Sequence, residues 1–453
     1  MIEKLQQIIN AEEKGSENLI RQSIAQIKQY QADGGTAYIS LDEDVALAAA
    51  QSADLARKSG YVASPLAGLA VSIKDLYDVK NQVTASASKV LADDSVARKD
   101  AEAVHLLRQS GAVLLGRTNM SEFAFSGLGL NPHYGTPTFA DSFKRIAGGS
   151  TSGGAVSVAL GHCVAALGSD TGGSLRIPAA FCGLVGFKPS SGRISTEGAF
   201  PLSYSFDTVG TITHTVEDNI IVDEILSGEK FEKIEIQPHQ LNIAITDDYF
   251  FDGADHNVLE AYQHTIELLK SHGVNFHKID LSELDQIGKI NHAGGLTAAE
   301  SWFIHRDLLS IPEKYTLYDP RVAQRIVRGK NINAADYLYI KQQRQNLIQS
   351  ISNKLAAFDA LIYPTVAIVA PLLEPLEQDE AHFFATNALV LRNTTVINFL
   401  DGCALSLPWQ RKDALPVGIS IAALHGQDQH ILNLSLLIEK LIKAQPSQSR
   451  TKS

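Results

Sequence analysis

Two short loops rich in glycine and hydroxyl side chains contain the residues best suited to chemistry. Ser150 lies in the run GGSTSGG at 148–154, and Ser174 ends the run GSDTGGS at 168–174. Glycine lets a backbone adopt positive φ and approach a ligand closely, although at an entropic cost. Two such loops within about one supersecondary unit indicate that the backbone itself acts there. The sequence therefore predicts that the loops meet in one catalytic site.

A base must activate any serine nucleophile, because a serine hydroxyl is a poor nucleophile while it keeps its proton. Neither loop contains a histidine, and Lys74 is the candidate because it is a lone lysine after the apolar run 68–73. A lysine acts as a base only when uncharged, and burial can lower its pKa of about 10.4 by several pH units. The sequence therefore predicts that Lys74 is buried and partly neutral.

The sequence around these residues resembles the amidase signature family of serine amidohydrolases. The runs GGSTSGGAVSVALG at 148–161 and GSDTGGSLRIPAAFCG at 168–183 carry the resemblance, with Ser174 lying 24 positions after Ser150. The run PLAGLAVSIKD at 65–75 is similar to the family's strand that delivers the lysine. The resemblance covers roughly residues 15–440 and is strongest from 66 to 215.

The resemblance implies a Ser–cisSer–Lys triad that hydrolyses amides through an acyl-enzyme. Ser174 would attack the carbonyl carbon, Ser150 would pass the proton to Lys74, and the Gly149–Ser150 peptide would be cis. Backbone N–H groups would form the oxyanion hole, contributed by Thr171, Gly172, Gly173 and Ser174. Asp170 and Arg176 are expected to brace this loop rather than to touch substrate.

The substrate pocket is assigned to the loop at 120–127, with a surface loop capped at Ser121 as the alternative. Substrate contacts are predicted for Met120, Phe123, Phe125, Thr151 and Tyr204. Thr151 is also a departure, since the family usually has Ser or Gly at that position.

The region 300–330 offers further candidates whose role the sequence leaves open. Its aromatic residues could line the pocket or be ordinary core residues: Trp302, Phe303, Tyr315 and Tyr318. Arg321 and Arg325 could bind a substrate carboxylate or be the surface charges of a helix.

Composition excludes several function classes. The 453 residues have a net charge of −11 and no basic block, which argues against nucleic-acid or anionic-membrane binding. No apolar run approaches the ~20 residues of a membrane span, and the charged N-terminus is unlike a signal peptide. The three cysteines predict neither a disulfide framework nor a metal motif. We therefore expect a cytoplasmic enzyme without metal or cofactor, acting on a small amide, with a homodimer left open.

The pattern of elements, together with the resemblance, predicts an α/β fold in which helices cover both faces of a large twisted mixed β-sheet. One domain is expected over 1–453, with a helical segment at 1–60, a catalytic core at 61–220, a peripheral part at 221–443 and a frayed tail at 444–453. Around the two loops we expect a buried helix over Gly153–Leu167, a turn at 175–178 and a strand at 183–187. Residues 207–215 resemble a strand hairpin.

Three hypotheses about function follow. The first is a stand-alone amidase that acts on a small amide. The second is the glutaminase-type component of an aminoacyl-tRNA amidotransferase complex, whose activity depends on partners. The third is a catalytically silent binding scaffold, which the presence of Lys74, Ser150 and Ser174 disfavours.

Overall fold

A computed structural model of the chain describes residues 1–12, 14–139, 144–409 and 414–444. Within these ranges one mixed sheet contains eleven strands: β1 Tyr38–Leu41, β2 Ala70–Lys74, β3 Val113–Thr118, β4 Ala165–Asp170, β5 Val185–Lys188, β6 Thr208–Thr213, β7 Asn242–Ile245, β8 Asn275–Lys278, β9 Ala360–Pro364, β10 Cys403–Trp409 and β11 Val417–Ala423. Their order is β1-β3-β2-β4-β6-β5-β10-β11-β9-β7-β8. The predicted α/β fold with a large mixed sheet is confirmed.

The sheet has two parallel triplets, joined by an antiparallel centre. Strand β2 runs parallel to both β3 and β4, and β7 runs parallel to both β8 and β9. The strands between the triplets, from β6 to β11, are antiparallel. Because parallel strands end at the same edge of a sheet, the ends of β2 and β4 are neighbours, and Ile73 pairs with Leu167. This register places Lys74 beside the second glycine-rich loop.

Helices pack on both faces of the sheet, as expected. Along β4, Ala166 joins a hydrophobic cluster with Val156, whereas Ala165 joins one with Val104 and Val222. Successive side chains of a strand point to opposite faces, so these clusters lie on opposite sides. The helices are α1 Ile2–Ala11, α2 Gly15–Ala32, α3 Glu43–Lys58, α4 Glu102–Gln109, α5 Ser152–Ala159, α6 Arg176–Cys182, α7 Val216–Ser227, α8 His256–Ser271, α9 Gln286–Ile290, α10 Gly295–Leu309, α11 Pro312–Tyr315, α12 Pro320–Val327, α13 Ala334–Leu355, α14 Leu373–Gln378, α15 Glu380–Phe399 and α16 Asp428–Lys443.

The helix predicted over Gly153–Leu167 is wrong in its extent. Helix α5 is already complete at Ala159 and Gly161 adopts a φ of 72°. The chain then enters strand β4, which includes the end of the apolar run. A strand buried on both faces is apolar throughout, as is a buried helix, so periodicity does not separate them. The N-cap residue of helix α5, Thr151, makes no side-chain capping hydrogen bond.

Four further elements differ from expectation. The predicted turn at 175–178 is the start of helix α6, which ends at Gly183 with a φ of 70°. The predicted hairpin at 207–215 is the single strand β6, paired with β4 and β5. Strand β1 and helix α15 were not predicted. The frayed tail lies outside the described residues, except for Ala444.

In the parts of the chain that the structure describes, none of the helices combines the length and the apolar character that crossing a bilayer requires.

Candidate active site

Lys74 ends strand β2 with its side chain fully enclosed. Its Nζ donates hydrogen bonds to Ser150 Oγ at 2.8 Å and to Ser169 Oγ at 2.9 Å. Burial lowers the pKa of Lys74 to about 7, while the carboxylates of Asp170 and Asp207 act in the opposite direction. The uncharged amine is therefore abundant at neutral pH, which is the state that a base requires.

The loop that carries Ser150 is held by close backbone contacts. The Gly149–Ser150 peptide is cis, as the resemblance implies. The Gly149 N–H donates to the carbonyl of Gly127 at 2.8 Å. A Cβ on Gly149 would lie 2.5 Å from the nitrogen of Gly129, so only glycine allows the two chain segments to approach this closely.

The second loop meets the first, as predicted. The Thr151 N–H donates to the carbonyl oxygen of Ser174 at 3.2 Å. Gly173 has a φ of 129°, and a Cβ there would lie 2.1 Å from the hydroxyl of Thr394. Glycine at this position therefore allows both the turn and the close packing against helix α15.

Asp170 organises the turn before Ser174. Its carboxylate forms a fully buried ion pair with Arg176, whose Nη2 donates at 2.9 Å. Burial alone would raise the pKa of Asp170, but the Arg176 guanidinium outweighs it and the pKa falls to about 2. Both residues thus brace the loop from behind, as expected.

The oxyanion assignment needs one correction. The Gly173 N–H donates to Asp170 Oδ1 at 2.8 Å and is therefore not free to bind an oxyanion. The remaining candidates are the N–H groups of Thr171, Gly172 and Ser174.

Helix α15 supplies supporting residues that sequence reasoning missed. Thr394 Oγ1 donates to the carbonyl of Gly172 at 2.6 Å, and Asn398 Nδ2 donates to Asp170 Oδ1 at 2.9 Å. Asn393, Thr394 and Asn398 are buried although they lie on a helix without a catalytic motif. Buried amides and hydroxyls on one apolar helix are the signal that could have found them.

Asp207 is another residue that sequence reasoning missed. Its Oδ1 accepts a hydrogen bond from Thr171 Oγ1 at 2.5 Å, and its Oδ2 accepts from the N–H groups of Leu202 and Ser203 at 2.9 and 3.0 Å. Burial raises the pKa of this carboxyl to about 6. Asp207 therefore ties the loop at 168–174 to the segment at 202–203.

Ser174 opens into a cavity of about 180 Å³, which we name the Ser174 cavity. Thr171, Gly172 and Ser174 form one wall, and Phe125, Arg325 and Arg328 are among the residues of the others. The Arg325 guanidinium lies 4.3 Å from the centre of the Phe125 ring and donates to the Phe125 carbonyl. Burial lowers the pKa of Arg325 to about 10, and Arg328 adds to the effect. Arg325 therefore remains a cation at neutral pH.

A second cavity of about 280 Å³ also has Thr171 in its wall, and we name it the Ser169 cavity. Its walls include Ser169, Asp207 and Tyr204, and it shares Thr171 with the Ser174 cavity.

Only some of the residues predicted to contact substrate line a cavity among the described residues. Phe125 lines the Ser174 cavity, and the exposed Tyr204 lines the Ser169 cavity. Thr151 packs its methyl group behind the loop, 2.7 Å from where a Cβ on Gly168 would lie. Met120 and Phe123 are fully buried and line neither cavity in the described part of the chain.

The loop at 120–127 is buried, which contradicts the alternative of a capped surface loop. Ser121 is fully enclosed and its hydroxyl donates to the carbonyl of Ser126 rather than capping a helix. Glu122 accepts hydrogen bonds from Ser88 Oγ and from the N–H of Asp319, both at 2.7 Å. Glu122 thus fastens this loop to the start of helix α12, which carries Arg325.

The aromatic and arginine residues at 300–330, whose roles the sequence leaves open, differ in whether they reach the Ser174 cavity. Arg321 pairs with Asp319 at 2.8 Å, so its charge is already matched, whereas Arg325 faces the Ser174 cavity. Tyr318 is buried beside Phe123, and Phe303 and Tyr315 are largely exposed. Trp302 is half-buried against the core. Of this region, Arg325 and Arg328 reach the cavity.

In the described ranges, no group of three or more His, Cys, Asp and Glu side chains is placed so that it could hold a metal ion. All three cysteines are buried as free thiols.

Comparison with known proteins identifies the family of this chain. The family model described as Amidase matches residues 18–432. The chain belongs to the amidase family. Among curated amidase-family relatives, 2-amino-5-chloromuconic acid deaminase of Comamonas testosteroni is 31% identical over 413 residues, covering 90% of this chain and 88% of the relative. The A component of the glutamyl-tRNA(Gln) amidotransferase of Akkermansia muciniphila is 31% identical over 442 residues, covering 89% and 92%.

A solved structure described as an amidase superposes with a TM-score of 0.85 at 32% identity, covering 94% of this chain and 96% of that one. The amidase fold is therefore shared along nearly the whole chain, and the family places this protein among the amide hydrolases.

Proposed function

We propose that this amidase-family chain cleaves the amide bond of a small amide with the triad Ser174, Ser150 and Lys74. The observation that carries the proposal is the 2.8 Å hydrogen bond from the buried Lys74 Nζ to Ser150 Oγ, at the contact between the two serine loops. An amine with a pKa of about 7 can accept a proton at neutral pH and return it.

In the proposed acylation step, the Oγ of Ser174 forms a bond to the amide carbon. Its proton passes to Ser150, whose own proton passes to the neutral amine of Lys74. The C–N bond then breaks, and the leaving nitrogen takes up a proton through the same two groups. The products are an ester on Ser174 and a free amine or ammonia.

Deacylation reverses the proton path with water in place of the amine. The relay takes one proton from water while the oxygen attacks the ester, and Ser174 leaves with a proton restored. The N–H groups of Thr171, Gly172 and Ser174 face the carbonyl oxygen in both steps. One such donor contributes about 3 kcal/mol to the stabilisation of a transition state.

The acyl half of the substrate is proposed to carry a carboxylate. Arg325 lines the Ser174 cavity, and its described contacts are to the ring and the carbonyl of Phe125 rather than to an acid. A guanidinium in a cavity favours a carboxylate because it offers two parallel N–H donors. Arg328 adds a second positive charge to the same walls.

The experiment that tests the proposal is an amide panel with the purified chain. Small primary amides with and without an acyl-side carboxylate are compared by ammonia release, with wild type and Ser174→Ala side by side. We expect activity in wild type on the carboxylate-bearing amides and none in the variant. Equal activity of the two proteins would contradict the proposal.

A glutaminase-type component of a larger complex is the second candidate, favoured by the relatives that belong to glutamyl-tRNA(Gln) amidotransferases, one of them 31% identical. Glutamine belongs in the panel for this reason. Hydrolysis of glutamine only after addition of the other proteins of such a complex would support this candidate over a stand-alone amidase.

A further inference from the structure

The Ser169 cavity adjoins the proposed catalytic centre but has no role in the mechanism above. Ser169 contributes to its wall, and the same Ser169 hydroxyl accepts a hydrogen bond from Lys74 Nζ at 2.9 Å. The Ser174 cavity is instead lined by Ser174 and by Thr171 and Gly172 of the same loop, residues 168–174, which we call the oxyanion loop after its proposed role. The two cavities share Ala124, Thr171 and Leu202. The two cavities therefore adjoin at Thr171, next to the position that the proposed mechanism gives to the amide bond.

The proposed mechanism fixes how an amide is oriented between the two cavities. The carbonyl oxygen must face the N–H groups of the oxyanion loop, and the nitrogen must face the group that returns its proton. Because Lys74 contacts a wall residue of the Ser169 cavity, the nitrogen side of the amide points toward that cavity. The acyl side then extends along the Ser174 cavity toward Arg325.

The charges of the cavities are opposite. Arg325 and Arg328 are the charged residues that line the Ser174 cavity, and Asp207 is the charged residue that lines the Ser169 cavity, among the residues the structure describes. Asp207 accepts three hydrogen bonds from its surroundings, whereas a carboxylate offers about four acceptor positions. One position is therefore left for a ligand.

We infer that the Ser169 cavity binds the amine half of an N-substituted amide whose substituent ends in an ammonium or another strong N–H donor beside Asp207. The inference rests on the proposed function and adds the leaving-group side of its substrate. Water occupies about 30 Å³ in the liquid, so 280 Å³ has room for a substituent of several heavy atoms. In the reaction the acyl carbon exchanges its C–N bond for a bond to Ser174, and the amine leaves with one proton from the relay.

The test uses four amides of the acyl group that the panel selects, for example succinate. Their nitrogens carry no substituent, a 2-aminoethyl group, a propyl group or a 2-carboxyethyl group. Release of each amine and of succinate is measured to obtain kcat/KM. We expect kcat/KM for the 2-aminoethyl amide to exceed that for the propyl amide by about tenfold, since a partly buried ion pair strengthens binding. The 2-carboxyethyl amide is expected to be the poorest of the four.

Two variants test whether the preference for the 2-aminoethyl amide arises in the Ser169 cavity. Asp207→Asn is expected to equalise the 2-aminoethyl and propyl amides. Because Asp207 also holds Thr171 and its replacement could disturb folding, Thr196→Trp is the second variant: Thr196 lies exposed at the wall of the Ser169 cavity. It is expected to lower the ratio of kcat/KM for the 2-aminoethyl amide over the unsubstituted amide by about tenfold, because the indole fills space. Thr196→Val is the matched control and should keep the wild-type ratio.

The outcomes separate this inference from the function on which it rests. Hydrolysis of the unsubstituted amide alone, equal rates for the three substituents, or an unchanged ratio in Thr196→Trp would overturn the inference while the proposed amidase remains. Unchanged activity of Ser174→Ala on every amide would instead overturn the proposed function.

Discussion

The two parallel triplets of the sheet have the same arrangement of strands but different surroundings. Strand β2 is buried along its whole length and ends in Lys74, whose amine bonds to two serines. Strand β8 at the opposite edge also ends in a lysine, Lys278, but that strand is largely exposed and the amine pairs with Asp247 on the surface. The chemical difference between the two lysines at strand ends therefore follows from the burial of their strands and from the groups that each amine contacts.

The loops that follow the strands differ in the same way. After β4 the chain makes a glycine-rich turn whose donors are arranged by the buried Asp170 and Arg176. After β7 the chain continues into Asp247 and Asp248, which lie on the surface. The turn after β4 is thus held by a buried ion pair, whereas Asp247 after β7 pairs with the exposed Lys278.

The largest effect is expected for Ser174→Ala, which removes the proposed nucleophile. Amide hydrolysis should fall by about 10⁴-fold or more, as for other serine hydrolases that lose their nucleophile. Steady-state kcat/KM on the best amide of the panel measures the loss, and circular dichroism confirms that the variant is folded. A loss smaller than about tenfold would mean that another group attacks the carbonyl.

Lys74→Met sharpens the comparison between the two strand ends. Removal of the proposed base should reduce kcat/KM by about 10³-fold, because neither serine would retain a proton acceptor. Lys278→Met is the matched control on β8 and should change kcat/KM by less than about twofold, since an exposed ion pair contributes little. Comparable losses in both variants would show that burial of the amine is irrelevant.

The pH dependence of kcat/KM should reveal the lowered pKa. The pKa of Lys74 is about 7 instead of about 10.4, so the amine gains a proton, and with it a charge, as the pH falls through 7. kcat/KM should then fall about tenfold per pH unit below this value and be level above it. The pKa of Asp207, raised to about 6, lies in the same range. Asp207→Asn therefore serves as the control. If kcat/KM of this variant no longer falls below pH 7, the fall is assigned to Asp207 and not to Lys74.

A smaller effect is expected at helix α15. Thr394→Val removes the hydrogen bond to the Gly172 carbonyl and should lower kcat by about tenfold, because the oxyanion loop loses a support. Thr265→Val in the peripheral helix α8 removes a comparable buried bond, to the carbonyl of Ala261. Both should reduce the free energy of unfolding by about 1 kcal/mol. If kcat falls equally in both, Thr394 has only a structural role.

The sequence was most informative where chemistry dictates residue type. Lys74 was predictable as a buried amine because it follows an apolar run, and the two loops were predictable as partners because both concentrate glycine and hydroxyl groups. The fold class followed from the alternation of strands and helices together with the resemblance. These features depend on local composition, which a sequence displays directly.

Other parts of the site depend on contacts that local composition does not display. Thr394 and Asn398 support the oxyanion loop from more than 200 positions away in the chain. Arg321 and Arg325 lie on the same helix, and only packing decides that one pairs with Asp319 while the other faces the Ser174 cavity. The apolar run of strand β4 predicts a helix because a fully buried strand has no alternation of polar residues.

The most direct test of the proposed mechanism is the pKa of Lys74 itself. Titration of the side chain by NMR in protein with isotopically labelled lysine, with the signal assigned through Lys74→Met, gives this value in the folded chain. A pKa near 7 is expected from its burial. A pKa of about 10 or above, the range of an exposed lysine, would contradict the role of Lys74 as the base.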